Sequence, residues 1–213
     1  MTNSILKGFI IITLCLLFTV QVGFGETITL TEYQDKLEGG WVGQMAGVCW
    51  GASTEFNYGR AIIPLNRVPR WRSSMINDGF GQDDIYVEIP FIDAMNDHGV
   101  NCSWTTLGNY FRDTSFQLWC ANWWGRENLL AGIPAPASGH YLNHPRTADI
   151  DWQIEADYIG QITPGMLMAS NDLAWRGGHV MNYGDGVYGG VAVAAMHSAA
   201  FFATTVDEII EAG

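Results

Sequence analysis

Apolar positions along this chain recur at spacings of three and four. Leu37, Trp41, Met45 and Val48 follow one another in that way, which marks one face of an α-helix, and Thr31 ahead of them is a suitable N-cap. Glycines 39, 43, 47 and 51 recur every four residues in the same stretch. On a helix they form one stripe, and each costs roughly 1 kcal/mol of propensity, so close approach of another backbone is expected to offset the loss. The helical pattern resumes at 82–97, with Ile85, Ile89 and Ile92 on one face and a kink expected at Pro90. It returns over 103–121, 150–162 and 187–202, and Thr205 caps a last helix that starts at Val206. Residues 52–81 and 122–150, rich in Gly, Pro and Asn, read as irregular. No segment alternates convincingly with a period of two, so the fold class is all-α.

The first 25 residues stand apart from this domain. Lys7 precedes an apolar run from Gly8 to Val22, and Gly23-Phe24-Gly25 offers small residues where a signal peptidase reads. The expectation is an exported protein, periplasmic or extracellular, with residues 26–213 as its domain and no stable membrane anchor after cleavage. The whole chain has 213 residues, a net charge of −12 and a pI near 4.6. That balance argues against a nucleic-acid binder and against general adsorption to anionic membranes. Apolar residues make up 48%, enough for a core, and 15% are charged, too few for a coiled coil or an acidic disordered tail. Of the cysteines beyond the leader, Cys49 reads as a small buried hydrophobe, and Cys102 with Cys120 is the one pairing worth testing. None has the spacing of a zinc site.

Candidate chemistry concentrates at Gly81-Gln82-Asp83-Asp84-Ile85. Two adjacent carboxylates opening a helix point in different directions, which suits oxygen ligation of hard cations on either side. The same residues equally complement the helix dipole. On a continuous helix Glu88 would share a face with Asp84. Arg60, Arg67, Arg70 and Arg72 form a basic patch on an acidic protein, placed to hold an anionic substrate group or, as such residues more often do, to pair with neighbouring carboxylates. Gly184-Asp185-Gly186-Val187-Tyr188-Gly189 matches the letters of a dinucleotide fingerprint, but the second strand and its acidic residue are missing. His140, His144, His179 and His197 read as loop, packed or solvated residues. Trp119, Trp123 and Trp124 read as core ahead of a sugar-stacking platform.

Gly43-Gln44-Met45-Ala46-Gly47-Val48-Cys49-Trp50-Gly51-Ala52-Ser53-Thr54-Glu55, followed by Gln82-Asp83-Asp84-Ile85, resembles the ADP-ribosylglycohydrolase family. Asp151-Trp152-Gln153-Ile154-Glu155-Ala156-Asp157 and Asn182-Tyr183-Gly184-Asp185-Gly186 extend the similarity. The resemblance implies an orthogonal all-α bundle, two Mg2+ ions and hydrolysis of an N- or O-glycosidic bond to an ADP-ribosyl or related glycosyl group. By the motif match Asp83 and Asp84 are metal ligands. Gln82 stands at a Thr ligand position with an amide oxygen able to serve, and Ile85 replaces a second Thr. Glu55 matches an acidic residue beside metals and substrate, the candidate catalytic group. Gly184, Asp185, Gly186, Asp151 and Asp157 fall on the substrate side. No Asp-x-Asp-Ser/Thr motif follows residue 185, so the second set of Mg2+ ligands is absent. On that ground the sequence reads as the N-terminal portion of a longer bundle, incomplete at its C-terminus, inactive as it stands and prone to self-association through exposed apolar surface. The alternative is a non-catalytic exported sugar- or nucleotide-binding protein.

Overall fold

The computed structural model describes residues 26–213, and the leader expected at 1–25 lies outside them. Among the described residues nine α-helices follow in order: α1 (Leu30–Ala52), α2 (Asp83–Tyr86), α3 (Glu88–His98), α4 (Trp104–Arg112), α5 (Cys120–Leu130), α6 (Asp157–Ile162), α7 (Leu167–Gly178), α8 (Asp185–Ala199) and α9 (Val206–Ala212). Short 3-10 turns at Leu65–Arg67, Ser73–Gly81, Ala137–Gly139 and Asp151–Ile154 punctuate the connections, and the described residues contain no strand. None of the described helices is long and apolar enough to cross a membrane.

The core lies where α3, α4, α6, α7 and α8 converge. Phe91 of α3 stacks on Phe111 of α4 at 5.4 Å and meets the edge of Trp152 at 5.6 Å, with Val87, Leu107, Ile159 and Met181 fully buried around them. Trp152 fits only because three facing positions lack side chains. A Cβ on Gly178 would lie 2.6 Å from the indole, and Cβ atoms on Gly177 and Gly190 would also collide with it. α8 runs down the centre of the bundle and packs on both α6 and α7.

Several boundaries differ from the sequence reading. α1 is capped by Thr29, whose hydroxyl accepts from Glu32 N, and not by Thr31. The expected helix over 82–97 is interrupted at Val87. Pro90 has no N–H to bond the Tyr86 carbonyl four residues back, so the break falls upstream of the ring, which sits harmlessly in the first turn of α3. The expected helix over 103–121 ends at Arg112, and a separate helix, α5, begins at Cys120 and runs to Leu130, most of it in the stretch read as irregular. Residues 150–162 divide into a 3-10 turn and the short α6. The α9 start stands as expected, with Thr205 and Glu208 closing a capping box. Cys102 and Cys120 are not paired: all three described cysteines are free, and Cys120 is exposed where Cys102 is buried. Trp119 and Trp123 are exposed, not core.

The glycine stripe of α1 does not meet another backbone. A methyl group at Gly39, Gly43, Gly47 or Gly51 would touch nothing within 4 Å. The helix makes its contacts at other positions. There Gly40 lies against Gln161, Met45 against Gly79, and the Tyr33 hydroxyl donates to Gln161 O at 3.1 Å. Gly43→Ala should therefore raise stability by about 1 kcal/mol, read as an upward shift of the urea midpoint with an unchanged slope.

Candidate active site

The Asp83-Asp84 pair opens α2 as the sequence suggests, with Gln82 as N-cap in extended backbone and no side-chain cap. The Gln82 amide nitrogen donates to Asp78 Oδ2 at 2.9 Å, which leaves its Oε1 uncommitted. Asp84 opens into a groove of about 450 Å³ between α1, α6, α8 and α9. The polar groups that line it are Gln44, Asp84, Gln153, Asp157 and His197, set among apolar side chains from Val48, Ile154, Val193, Met196 and Ile209. Burial, together with the charge of Asp83 beside it and of Asp157 across the groove, raises the Asp84 carboxyl to about 7.

Asp157 starts α6 and is held by His197 of α8, whose Nε2 lies 3.1 Å from its Oδ2. The two are forty positions apart in sequence. They meet because Gly160, one turn after Asp157, lets α6 press directly on α8: a Cβ there would sit 2.6 Å from Ser198 N and collide with the Ala194 carbonyl.

Behind the groove lies a second tier of acids. Glu88 is fully buried, and Gln44 Nε2 bridges its Oε1 at 2.6 Å to the Asp84 carbonyl at 3.2 Å. Glu155 is fully buried and accepts from Asn122 Nδ2, while the Asn122 backbone N–H donates to Asp151 Oδ1 at 2.8 Å. Burial pushes both glutamates well above the ordinary range; Asp157 and Asp84 add to it at Glu88, and Asp151, Asp83 and Glu88 at Glu155. Asp151 is raised to about 6, mainly by burial and against the hydrogen bonds it accepts. Glu88 Oε2 and Glu155 Oε2 have no hydrogen-bond partner.

A raised folded pKa has a definite sign. The stability that protonated Glu155 contributes is complete below the ordinary glutamate value and lost as pH climbs through the folded one. Glu155→Gln keeps the acceptor for Asn122 and removes the titration. It should stabilise the protein at about pH 8 and do little near pH 4, the gap opening by up to about 1.4 kcal/mol per pH unit in between. Thermal melts of parent and variant across that range read the effect.

The expected site residues are therefore gathered unequally. Asp84 and Asp157 line the groove, Asp83 stands beside Asp84 outside the lining, and Asp151 lies behind them, linked to Glu155 through Asn122. Gly184-Asp185-Gly186 caps α8 beside the 147–152 turn. Gly184 has φ +60°, and Gly186 packs against the Thr147 and Asp149 carbonyls so closely that its missing side chain already serves the fold. Asp185 is exposed. Glu55 lies exposed in the turn after α1, outside the groove lining. Gln44, Asn122 and Glu155 were not singled out from sequence, and His197, read there as packed or solvated, instead lines the groove against Asp157; a Glu beside an Asp-rich motif and a His one helix length after a glycine-rich N-terminus were the signals available. His179 and His144 are packed, each ring donating to a backbone carbonyl at 2.7 Å.

Of the expected Mg2+ ligands Asp84 alone lines the groove, and Gln82 and Asp83 stand beside it at the head of α2, outside the lining. Among the described residues no three His, Cys, Asp or Glu side chains converge at ligand distance. Mg2+ commonly keeps several waters and binds through one or two carboxylates, and the adjacent Asp83 and Asp84 are oxygen donors of that kind.

Residues 29–213 match the family model described as ADP-ribosylglycohydrolase, and the chain belongs to that family. No curated protein and no solved structure matches it. The all-α fold is the family's, and the class of chemistry that membership points to is glycosidic hydrolysis of ADP-ribosyl type.

Proposed function

We propose that this protein hydrolyses an N- or O-glycosidic bond of an ADP-ribosyl or related glycosyl substrate in the groove between α1, α6, α8 and α9. The observation that carries the reading is the convergence of Asp84, Asp157 and His197 on one cleft, in a chain of this family. Gln82, Asp83 and Asp84 would hold Mg2+, which when bound supplies a cation to orient sugar hydroxyls and acidify a water. Asp157, fixed by His197, accepts a hydrogen bond from a ribose hydroxyl. The acidic lining stabilises positive charge as it develops at the anomeric carbon. Gln44 holds Glu88 away from the cleft, and the apolar wall of Val48, Ile154 and Met196 excludes bulk water from the sugar. Glu55 takes part only if the turn after α1 folds over the groove. The protein acts after export, on a glycosyl compound outside the cytoplasm.

The test is isothermal titration of the purified protein with Mg2+, alongside product release from an ADP-ribosylated peptide and from nitrophenyl glycosides. The expected result is Mg2+ binding in the parent, its loss in Asp83→Ala and Asp84→Ala, and Mg2+-dependent release of a sugar product. The exposed position of Glu55, outside the groove lining, favours a second reading, a sugar- or nucleotide-binding protein without turnover. Ligand binding with no product over extended incubation would establish that reading in place of the first.

A further inference from the structure

The connection between α1 and α2 has a composition unlike the rest of the molecule. From Phe56 to Asn77 it contains no acidic residue and four arginines, Arg60, Arg67, Arg70 and Arg72, in a protein whose net charge is −12. The sequence offered two roles for these arginines, holding an anionic substrate group or, more commonly, pairing with nearby carboxylates. Among the described residues none of the four forms an ion pair, although Arg112, Arg146 and Arg176 each do.

Large apolar side chains stand between them. Phe56 is 95% exposed, Ile62 96% and Leu65 90%, and Val68 and Trp71 are also exposed. The segment is nonetheless shaped: Trp50 Nε1 donates to Pro69 O at 2.8 Å, and 3-10 turns at Leu65–Arg67 and Ser73–Gly81 bracket its second half. Single exposed hydrophobes are ordinary on a protein surface. Five within seventeen residues, alternating with four unpaired arginines, are not.

We infer that residues 56–72 form a docking surface for an anionic lipid bilayer. Isolated, nearly fully exposed side chains such as Ile62 and Leu65 enter the acyl boundary of a bilayer without a preformed socket, and arginines beside them reach phosphate depth. A protein partner would need a matching recess for each protruding side chain. The net negative charge does not forbid contact, because at physiological salt charges beyond about 8 Å are screened, and only this segment need touch the surface. The acidic remainder of the molecule instead fixes the orientation, by keeping every other face off the membrane. This peripheral contact does not depend on the reading of the groove.

The experiment is co-sedimentation of the purified chain with vesicles of phosphatidylcholine and phosphatidylglycerol in equal parts, against phosphatidylcholine alone. Light scattering is recorded without vesicles. The expected result is binding to the anionic vesicles only, weakened by raised salt. An Arg67→Glu/Arg70→Glu/Arg72→Glu variant should bind at least about tenfold more weakly, since each basic residue near an anionic surface is worth roughly a fivefold gain. Ile62→Ser/Leu65→Ser should also weaken binding while leaving the salt dependence in place. All substituted positions are exposed, and circular dichroism confirms that the variants fold. Failure of the parent to sediment with anionic vesicles overturns the proposal, as does binding that both variants retain. A parent that is dimeric without lipid and that both variants render monomeric also overturns it, and assigns the segment to contact between copies.

Discussion

Asp84→Asn should slow glycosidic hydrolysis by about a thousandfold, and in metal-free buffer the same variant should melt at a higher temperature than the parent at about pH 8. Both effects follow from where the side chain sits. It opens into the groove at the head of α2, with Asp83 beside it and Asp157 facing it, and its carboxyl is raised to about 7. The stability that the neutral acid permits is complete below the ordinary aspartate value and lost as pH rises through about 7. Asn is never charged, so it escapes that loss, and the two melting curves should converge near pH 4. Opposite signs of change in activity and stability distinguish a site residue from a structural one. A variant that is both inactive and less stable would mean that Asp84 holds the fold, and full activity would remove it from the mechanism.

Gly160→Ala should destabilise the protein by about 3 kcal/mol, among the largest effects available to a single methyl group here. The added Cβ has nowhere to go, since its neighbours are the backbone of α8 at Ala194 and Ser198 and the Cβ of His197. Relief requires α6 and α8 to separate, which would draw Asp157 away from His197. The expected outcome is a lower urea midpoint together with a raised KM for any substrate whose hydroxyl Asp157 holds. Gly43→Ala, the same substitution on the open side of α1, should move the midpoint in the opposite direction. A pair of equal shifts would contradict the close crossing.

What the sequence disclosed follows the physics of each element. α1 was legible from its apolar spacing, α2 from two acids behind Gln82, and α9 from Thr205 with Glu208. α5 was hidden because its buried face consists of Ala121, Asn122, Gly125 and Asn128 with Leu129, small and polar residues that leave no apolar stripe. α7, which was not marked out, ends in the Gly177-Gly178 pair that admits the Trp152 indole. The glycine periodicity of α1 was real, but its meaning depended on which side of the helix the bundle occupies, and that is decided by Met45, Gly40 and Tyr33. In the site, the Asp83-Asp84 motif could be read locally, as could Asp157 through the family resemblance. The Asp157–His197 pair, the Gln44–Glu88 bridge and the burial of Glu155 are products of tertiary packing, and no spacing along the chain encodes them.

The long first helix has one last implication. α1 spans 23 residues, yet Cys49 is its only buried residue. Beyond that it is held by Trp41, half-buried against the core, by Tyr33 on Gln161 and Phe201, and by Lys36 on the Phe201 carbonyl, Gln44 on Glu88 and Met45 on Gly79. The opposite wall, α8, is gripped on several sides. A segment so lightly anchored opens locally before the molecule unfolds. Amide hydrogen exchange should therefore find α1 among the fast-exchanging helices and α8 among the slowest. The cleft that Gln44 and Asp84 share would then have one fixed jaw and one that breathes, and ligands that bridge the two should be detected first as slowed exchange along α1.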